Sequence, residues 1–200
     1  MTKAARRYHH GDVRGAAVAA ALTRLEAEGA DALTIRALAG EVGVDHRALY
    51  RHFPDRDAIL TAVAAVGYSQ LLLAFDAEAG EGAPLFAAFA AYVKFALARP
   101  NLHSLMLTRS RDAMDGDAGL DEAVSAVLER LMDGARAALG GAADDDTAKT
   151  LAFAGLASAY GMISLAATQT LAPREPEALQ AFLIDQVRGV LEGQIARLSG

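Results

Sequence analysis

The sequence predicts an all-α protein of about nine helices. A small three-helix unit at the N-terminal end is joined, through one long helix, to a larger helical body. Three observations lead there. Apolar residues recur at spacings of three and four in segment after segment. Alanine is abundant and β-branched runs are scarce, which favours helix. Glycine, proline and good capping residues fall where the periodic stretches stop. With 53% hydrophobic and 22% charged residues, the 200-residue chain reads as folded rather than disordered, long enough for one sizeable core or two small ones.

Residues 1–11, MTKAARRYHHG, form a basic tail, either an arm for phosphates or the minor groove or a disordered terminus. Asp12 can cap a first helix reaching about Glu28, with an alanine-rich stripe of Val13, Ala16, Ala17, Ala20, Ala21 and Leu25. Gly29 ends it. Thr34 then caps a helix on which Ile35, Leu38, Ala39 and Val42 share a face, and Gly43 supplies the positive φ that stops it. Val44 sits apolar in the turn, and Asp45 caps a short helix from His46 to His52. The expected core of this unit is Leu22, Leu25, Leu33, Ile35, Leu38, Val42, Leu49 and Phe53.

The short helix carries the chemistry. Leu49 and Phe53 lie four apart and seat it. Stepping about 100° per residue then puts Arg47 and Arg51 outward, with Ala48, Tyr50 and His52 on the flanks. Two helices around a short Gly-bearing turn, with an Arg- and Tyr-bearing outer face, make a helix-turn-helix suited to the major groove. By geometry alone an ordinary surface helix pair fits equally well. The run also closely resembles the DNA-binding domain of the TetR family of bacterial transcription regulators. Thr34-Ile35-Arg36, Leu38-Ala39, Val42-Gly43-Val44, Ala48-Leu49-Tyr50, His52-Phe53-Pro54, Arg56 and Ile59-Leu60 carry the resemblance in one register.

Pro54 stops the short helix and Asp55 caps a long one, about Arg56 to Ala79, with Ile59, Leu60, Val63, Val66, Tyr68, Leu71, Leu72 and Phe75 as its apolar positions. The Gly80-Glu81-Gly82 stretch breaks it. The domain boundary is expected inside this helix, dividing a DNA-binding domain (1–56) from a ligand-binding and dimerisation domain (57–200). Pro84 opens an aromatic-rich helix ended by Arg99-Pro100, and Asn101 is expected to cap a short helix from Leu102 to Leu107. Residues 109–119 read as a loop, Leu120–Leu139 as an amphipathic helix, and Gly140 to Asp146 as a second loop. Thr150 to Pro173 has no charge. Roughly twenty apolar residues can span a bilayer, but Ala, Gly, Ser and Thr dominate and flanking belts are missing, so a buried helix is expected. The last helix, about Pro176 to Leu198, repeats apolar residues at three and four.

The Tyr8-His9-His10-Gly11-Asp12 entry and the Ala91–Leu97 run with Arg99-Pro100 resemble the TetR subgroup whose C-terminal domain is named for a Trp-His-Gly motif. Those three positions read Leu156, Tyr160 and Gly161 here, so only the glycine matches.

The net charge of −6 looks unfavourable for a nucleic-acid partner. Residues 1–60, however, hold nine Lys+Arg against eight Asp+Glu and four of the five histidines, so the acid lies in the rest. Local patches, not the total, set such binding. Cysteine is absent, which excludes a disulfide framework and, with no secretory pattern at the N-terminus, fits a cytoplasmic protein. No catalytic constellation, phosphate loop or metal-binding His pair stands out, and no cofactor or metal is called for.

The resemblance implies a ligand-responsive regulator, a repressor on a palindromic double-stranded operator, acting as a homodimer with two recognition helices one DNA turn apart. Arg47 and Arg51 would read or steer toward bases, Ala48 would meet a thymine methyl, and Thr34, Tyr50, His52 and Arg56 would hold phosphates, with Arg36 and His46 in the same surface. A small apolar effector would enter the body among Tyr68, Leu72, Phe89, Tyr92, Phe95, His103, Met106, Phe153 and Tyr160, residues that also suit plain core. The two last helices would pair with their copies through Gly155, Ala159, Met162, Ala166, Phe182, Leu183, Val187, Val190 and Leu191. The rival readings are a helical interaction protein without a DNA role, which explains the acidic charge, and a small enzyme, for which no nucleophile–base pair can be named.

Overall fold

The computed structural model describes residues 12–80, 83–109, 116–141, 143–168 and 175–199. The expected arm at 1–11, Glu81 and Gly82, most of the charged loop at 110–115, and Pro173 lie outside the described residues. All regular structure described is helical: α1 (Val13–Glu28), α2 (Ile35–Val42), α3 (His46–Tyr50), α4 (Arg56–Glu78), α5 (Pro84–Ala98), α6 (Pro100–Leu107), α7 (Ala118–Ala138), α8 (Asp145–Ala167) and α9 (Pro176–Ser199), with a 3₁₀ turn at Ala30–Ala32.

Local chemistry starts the N-terminal helices. Each N-cap carboxylate or hydroxyl accepts from its own first turn: Asp12 from Gly15 N–H at 2.7 Å, Thr34 from Ala37 at 3.2 Å, Asp45 from Arg47 at 2.8 Å and Asp55 from Ala58 at 2.8 Å. Gly43 ends α2 at φ +74°, a left-handed conformation that glycine adopts without a steric penalty. α1, α2 and α3 then close over Ala17, Val18, Ala21, Leu25, Leu33, Ile35, Leu38, Ala39, Val42, Leu49 and Phe53. Val18 takes the inward position on α1, and Leu22 is only half-buried.

α4 is the axis of the molecule and packs against α1, α5, α6 and α7. It is apolar almost all round, as a helix surrounded by others must be. Its approach to α6 is close at Gly67, where a Cβ would lie 2.7 Å from Met106 Sδ. α8 lies against α5, α7 and α9, and Gly155 makes room there: a Cβ would stand 2.3 Å from the Phe89 ring and 3.0 Å from Leu191. α4 and α8 are each long and apolar enough to cross a membrane by length and composition.

Among the boundaries that differ from the sequence reading are two helix starts. α8 begins at Asp145, not Thr150, because Asp144 accepts from Thr147 N–H at 2.7 Å and two more aspartates follow at the positive helix end. α6 begins at Pro100, so Asn101 is inside it and caps nothing. Its side-chain amide instead donates to the Glu26 carbonyl of α1 at 3.2 Å.

Candidate nucleic-acid interface and internal cavity

α3 is held from one side only. Leu49 and Phe53 are fully buried in the three-helix core, and the backbone continues past Tyr50 through Phe53 N–H to Leu49 C=O at 2.9 Å. That seat turns His46, Arg47, Tyr50, Arg51 and His52 to solvent, while Ala48 is half-buried. Tyr50 is 52% exposed and makes an edge contact with the His46 ring. Among the described residues, Arg36, Arg47 and Arg51 have no acidic side chain within ion-pair distance. Three free guanidinium groups, a phenol and two imidazoles thus share the outer surface of α2 and α3. Such a set offers several N–H and O–H donors, with charge, to phosphate oxygens or base edges.

Arg56 departs from the expected role. Its Nε donates to the Leu33 carbonyl at 2.9 Å and its Nη2 to the Ala30 carbonyl at 2.5 Å, with Asp31 at 3.8 Å. The guanidinium clamps the turn between α1 and α2 to the start of α4, which takes two of its five N–H donors. Thr34 likewise uses its hydroxyl as the α2 cap. A further cation, Arg14 of α1, stands 5.3 Å over the Phe53 ring and braces the same core.

A cavity of about 310 Å³ opens among α4, α5, α6, α7 and α8. Of the expected lining, Tyr68, Tyr92, His103, Met106, Phe153 and Tyr160 reach it. Leu72, Phe89 and Phe95 do not. Leu71 and Tyr68 are the α4 residues that face the cavity, and Leu72 is turned about 100° from Leu71. Tyr92 points inward from α5, so residues three away on either side are rotated by about 60°: Phe89 packs on Gly155, and Phe95 is buried. Leu71, Leu107, Val124, Val127, Leu128, Leu156 and Ala157 complete the wall. Those on α7 belong to its apolar stripe, and nothing in that stripe separates cavity from core. Leu156 and Tyr160 occupy two of the Trp-His-Gly positions.

The cavity's polar groups are few. Tyr92 Oη and His103 Nε2 lie 2.8 Å apart, both residues buried, with the rings edge to face. Burial lowers the His103 pKa and keeps the imidazole neutral near pH 7; burial raises that of Tyr92. The Tyr68 hydroxyl donates to the Met106 carbonyl at 3.2 Å.

The faces expected to meet a second copy are mostly consumed within the chain. Ala159, Leu183, Val187 and Leu191 are fully buried, Gly155 is covered by Phe89 and Leu191, and Ala166 is buried. Met162 and Val190 are half-buried, and Phe182 is 37% exposed. The open sides of α8 and α9 instead carry Tyr160, Leu165 and Phe182.

Residues 17–63 match the family profile described as bacterial regulatory proteins, tetR family, and residues 85–187 match the one described as tetracyclin repressor-like, C-terminal domain. The chain belongs to the TetR family. As a TetR-family protein it has the fold of a DNA-binding transcriptional regulator. Neither description names the Trp-His-Gly subgroup that the sequence resembles. No curated protein matches the sequence. Among solved structures, a protein of unknown function from Rhodococcus sp. RHA1 is 30% identical, with a TM-score of 0.75 over 98% of this chain and 100% of that one. A TetR variant from Acinetobacter baumannii AYE, solved with minocycline, is 20% identical, with a TM-score of 0.66 over 94% and 98%. The TetR-family regulator PfmR of Thermus thermophilus is 17% identical, with a TM-score of 0.60 over 88% and 97%.

In this TetR-family chain α6, like α4, lines the cavity and also lies against α1 of the three-helix unit. His103, Met106 and Leu107 of α6 line the cavity. Near its start Asn101 holds the Glu26 carbonyl of α1, and Arg99 bonds Gln70 of α4. Just past its end Arg109 pairs with Asp57 in the first turn of α4 at 2.7 Å. Burial raises the Glu26 carboxyl pKa against the lowering pull of Arg99. Sequence reasoning missed these ties, because a lone Asn or Arg at a helix end gives no sign of a partner dozens of residues away.

Proposed function

We propose that this protein is a homodimeric transcriptional repressor that binds a palindromic operator through α3 and is released by a small apolar effector. The observation that carries the reading is the uncommitted cationic face of Arg47 and Arg51 with Tyr50, set on buried Leu49 and Phe53. A helix anchored on one side and charged on the other suits the major groove. Residues 1–56 serve as the DNA-binding domain and 57–200 as the effector and dimerisation domain. Arg36, His46, Ala48 and His52 complete the DNA surface; Thr34 contributes through its place at the start of α2, and Arg56 by fixing the turn. On this reading the protein acts as a regulator in the cytoplasm rather than as an enzyme.

The second copy meets α8 and α9 on their open sides, with Phe182, Leu165, Met162 and Val190 contributing, and sets the distance between two recognition helices. The effector occupies the cavity. The minocycline complex of the similar Acinetobacter protein supports a small-molecule ligand for a chain of this fold. Occupation shifts α6, and through Asn101 and Arg109 it favours one spacing of the DNA-binding units over another.

Selection from a random duplex pool tests the reading. Enrichment of an inverted repeat, bound by a species of twice the chain mass in size-exclusion chromatography, is the expected result. Tyr50→Ala should weaken that binding without lowering the melting temperature. No enriched sequence, or a monomer at micromolar concentration, contradicts it.

A further inference from the structure

Among the described residues, none of the side chains lining the cavity is Asp, Glu, Lys or Arg. A charged ligand would leave water without a fixed opposite charge to meet it, which is strongly unfavourable. The wall is aromatic and aliphatic, with Tyr68, Tyr92, Phe153 and Tyr160 as its rings. Flat apolar surface therefore gains most from entering.

The Tyr92–His103 pair adds one specific demand. If Tyr92 O–H donates to His103 Nε2, the neutral imidazole carries its proton on Nδ1, and that N–H has no protein partner among the described residues. If Nε2–H donates to the Tyr92 oxygen instead, the Tyr92 O–H proton is the one left over. In either tautomer one donor remains unspent in a buried pair on the cavity wall. Tyr68 does not replace it, since its hydroxyl already serves the Met106 carbonyl, and Tyr160, the other phenol of the wall, is half exposed to water.

We infer that the cavity takes an uncharged aromatic molecule bearing a hydrogen-bond acceptor, such as an aryl carbonyl, which receives the spare proton of the Tyr92–His103 pair. This assignment rests on the cavity being the effector site. It selects within apolar ligands: the acceptor distinguishes a ketone, ester or amide from a hydrocarbon of the same shape, and the lack of a charged partner disfavours the matching carboxylate.

Equilibrium dialysis of the full chain at pH 7.5 against 2-acetylnaphthalene, 2-ethylnaphthalene and 2-naphthoate tests it. The ketone should bind about fivefold tighter than the hydrocarbon, the factor expected of one hydrogen bond, and the carboxylate most weakly. In Tyr92→Phe/His103→Leu the two neutral probes should come within about twofold of each other, because the donor is gone and the apolar wall remains. A ketone with no advantage over the hydrocarbon in the unaltered protein, a carboxylate that binds tightest, or no binding of any probe overturns the assignment. These wild-type comparisons stand even if the double variant fails to fold. A ketone that binds as expected yet leaves operator affinity unchanged supports this assignment and contradicts the regulatory reading.

Discussion

Arg47 and Arg56 carry the same charge in the same part of the molecule, but their surroundings set them apart. Arg56 spends its donors on the Leu33 and Ala30 carbonyls, whereas Arg47 has no described partner. Arg56→Ala should therefore act on folding: loss of charge-assisted bonds to two carbonyls costs about 1–2 kcal/mol, read as a lower denaturation midpoint. His103 makes a pH prediction. Burial lowers its pKa below the usual 6.5, so the unfolded chain takes up a proton that the folded one resists. This contribution to stability is present above pH 6.5 and is lost as the pH falls through the folded value. Between pH 7 and 5 the unaltered protein should lose stability faster than His103→Leu, by at most about 1.4 kcal/mol per pH unit. Parallel thermal melts of the two proteins check it; equal pH slopes would contradict it.

At the scale of elements, close approach decides which helices can slide. Gly155 lets α8 lie on the Phe89 ring, and a methyl group there would overlap it. Gly155→Ala should destabilise the fold by about 1–3 kcal/mol, as overpacked cores do, measured by chemical denaturation. α6 makes a separate prediction. Asn101→Ala and Arg109→Ala together remove its ties to Glu26 and Asp57 while leaving the cavity wall and α3 untouched. Operator affinity should stay within about threefold, and effector-driven release should weaken by about tenfold, the size of a typical coupling energy; fluorescence anisotropy with and without effector reads both. The N-terminal elements were legible in the sequence because their signals are local: Thr34, Asp45 and Asp55 each accept from their own first turn. α6 was legible as a helix but not as a strut, since its partners come from α1 and α4.

For the whole molecule, periodicity told that α8 and α9 bury a face and could not tell against what. The strong repeat of Leu183, Val187 and Leu191 turns out to serve the chain's own core, and the outer sides stay open, where the proposed partner copy would sit. The cavity was half legible for a related reason. Polar-tipped Tyr68, Tyr92 and His103 stand out in an apolar run, but Val124, Val127 and Leu128 look the same whether they line a cavity or fill a core. The acidic total charge likewise hid a surface where three arginines stay unpaired among the described residues. The salt dependence of DNA binding is the sharpest probe of that surface. Operator affinity should be titrated from 50 to about 200 mM salt for the unaltered chain and for Arg47→Ala/Arg51→Ala, because each phosphate contact contributes roughly one unit to the log–log slope. Guanidinium groups set in the groove also lie close to the phosphates and displace counterions, so a shallower slope, by about one to two units per recognition helix, and weaker binding at an unchanged melting temperature are expected. A variant that binds as tightly and with the same slope would contradict this reading of the surface.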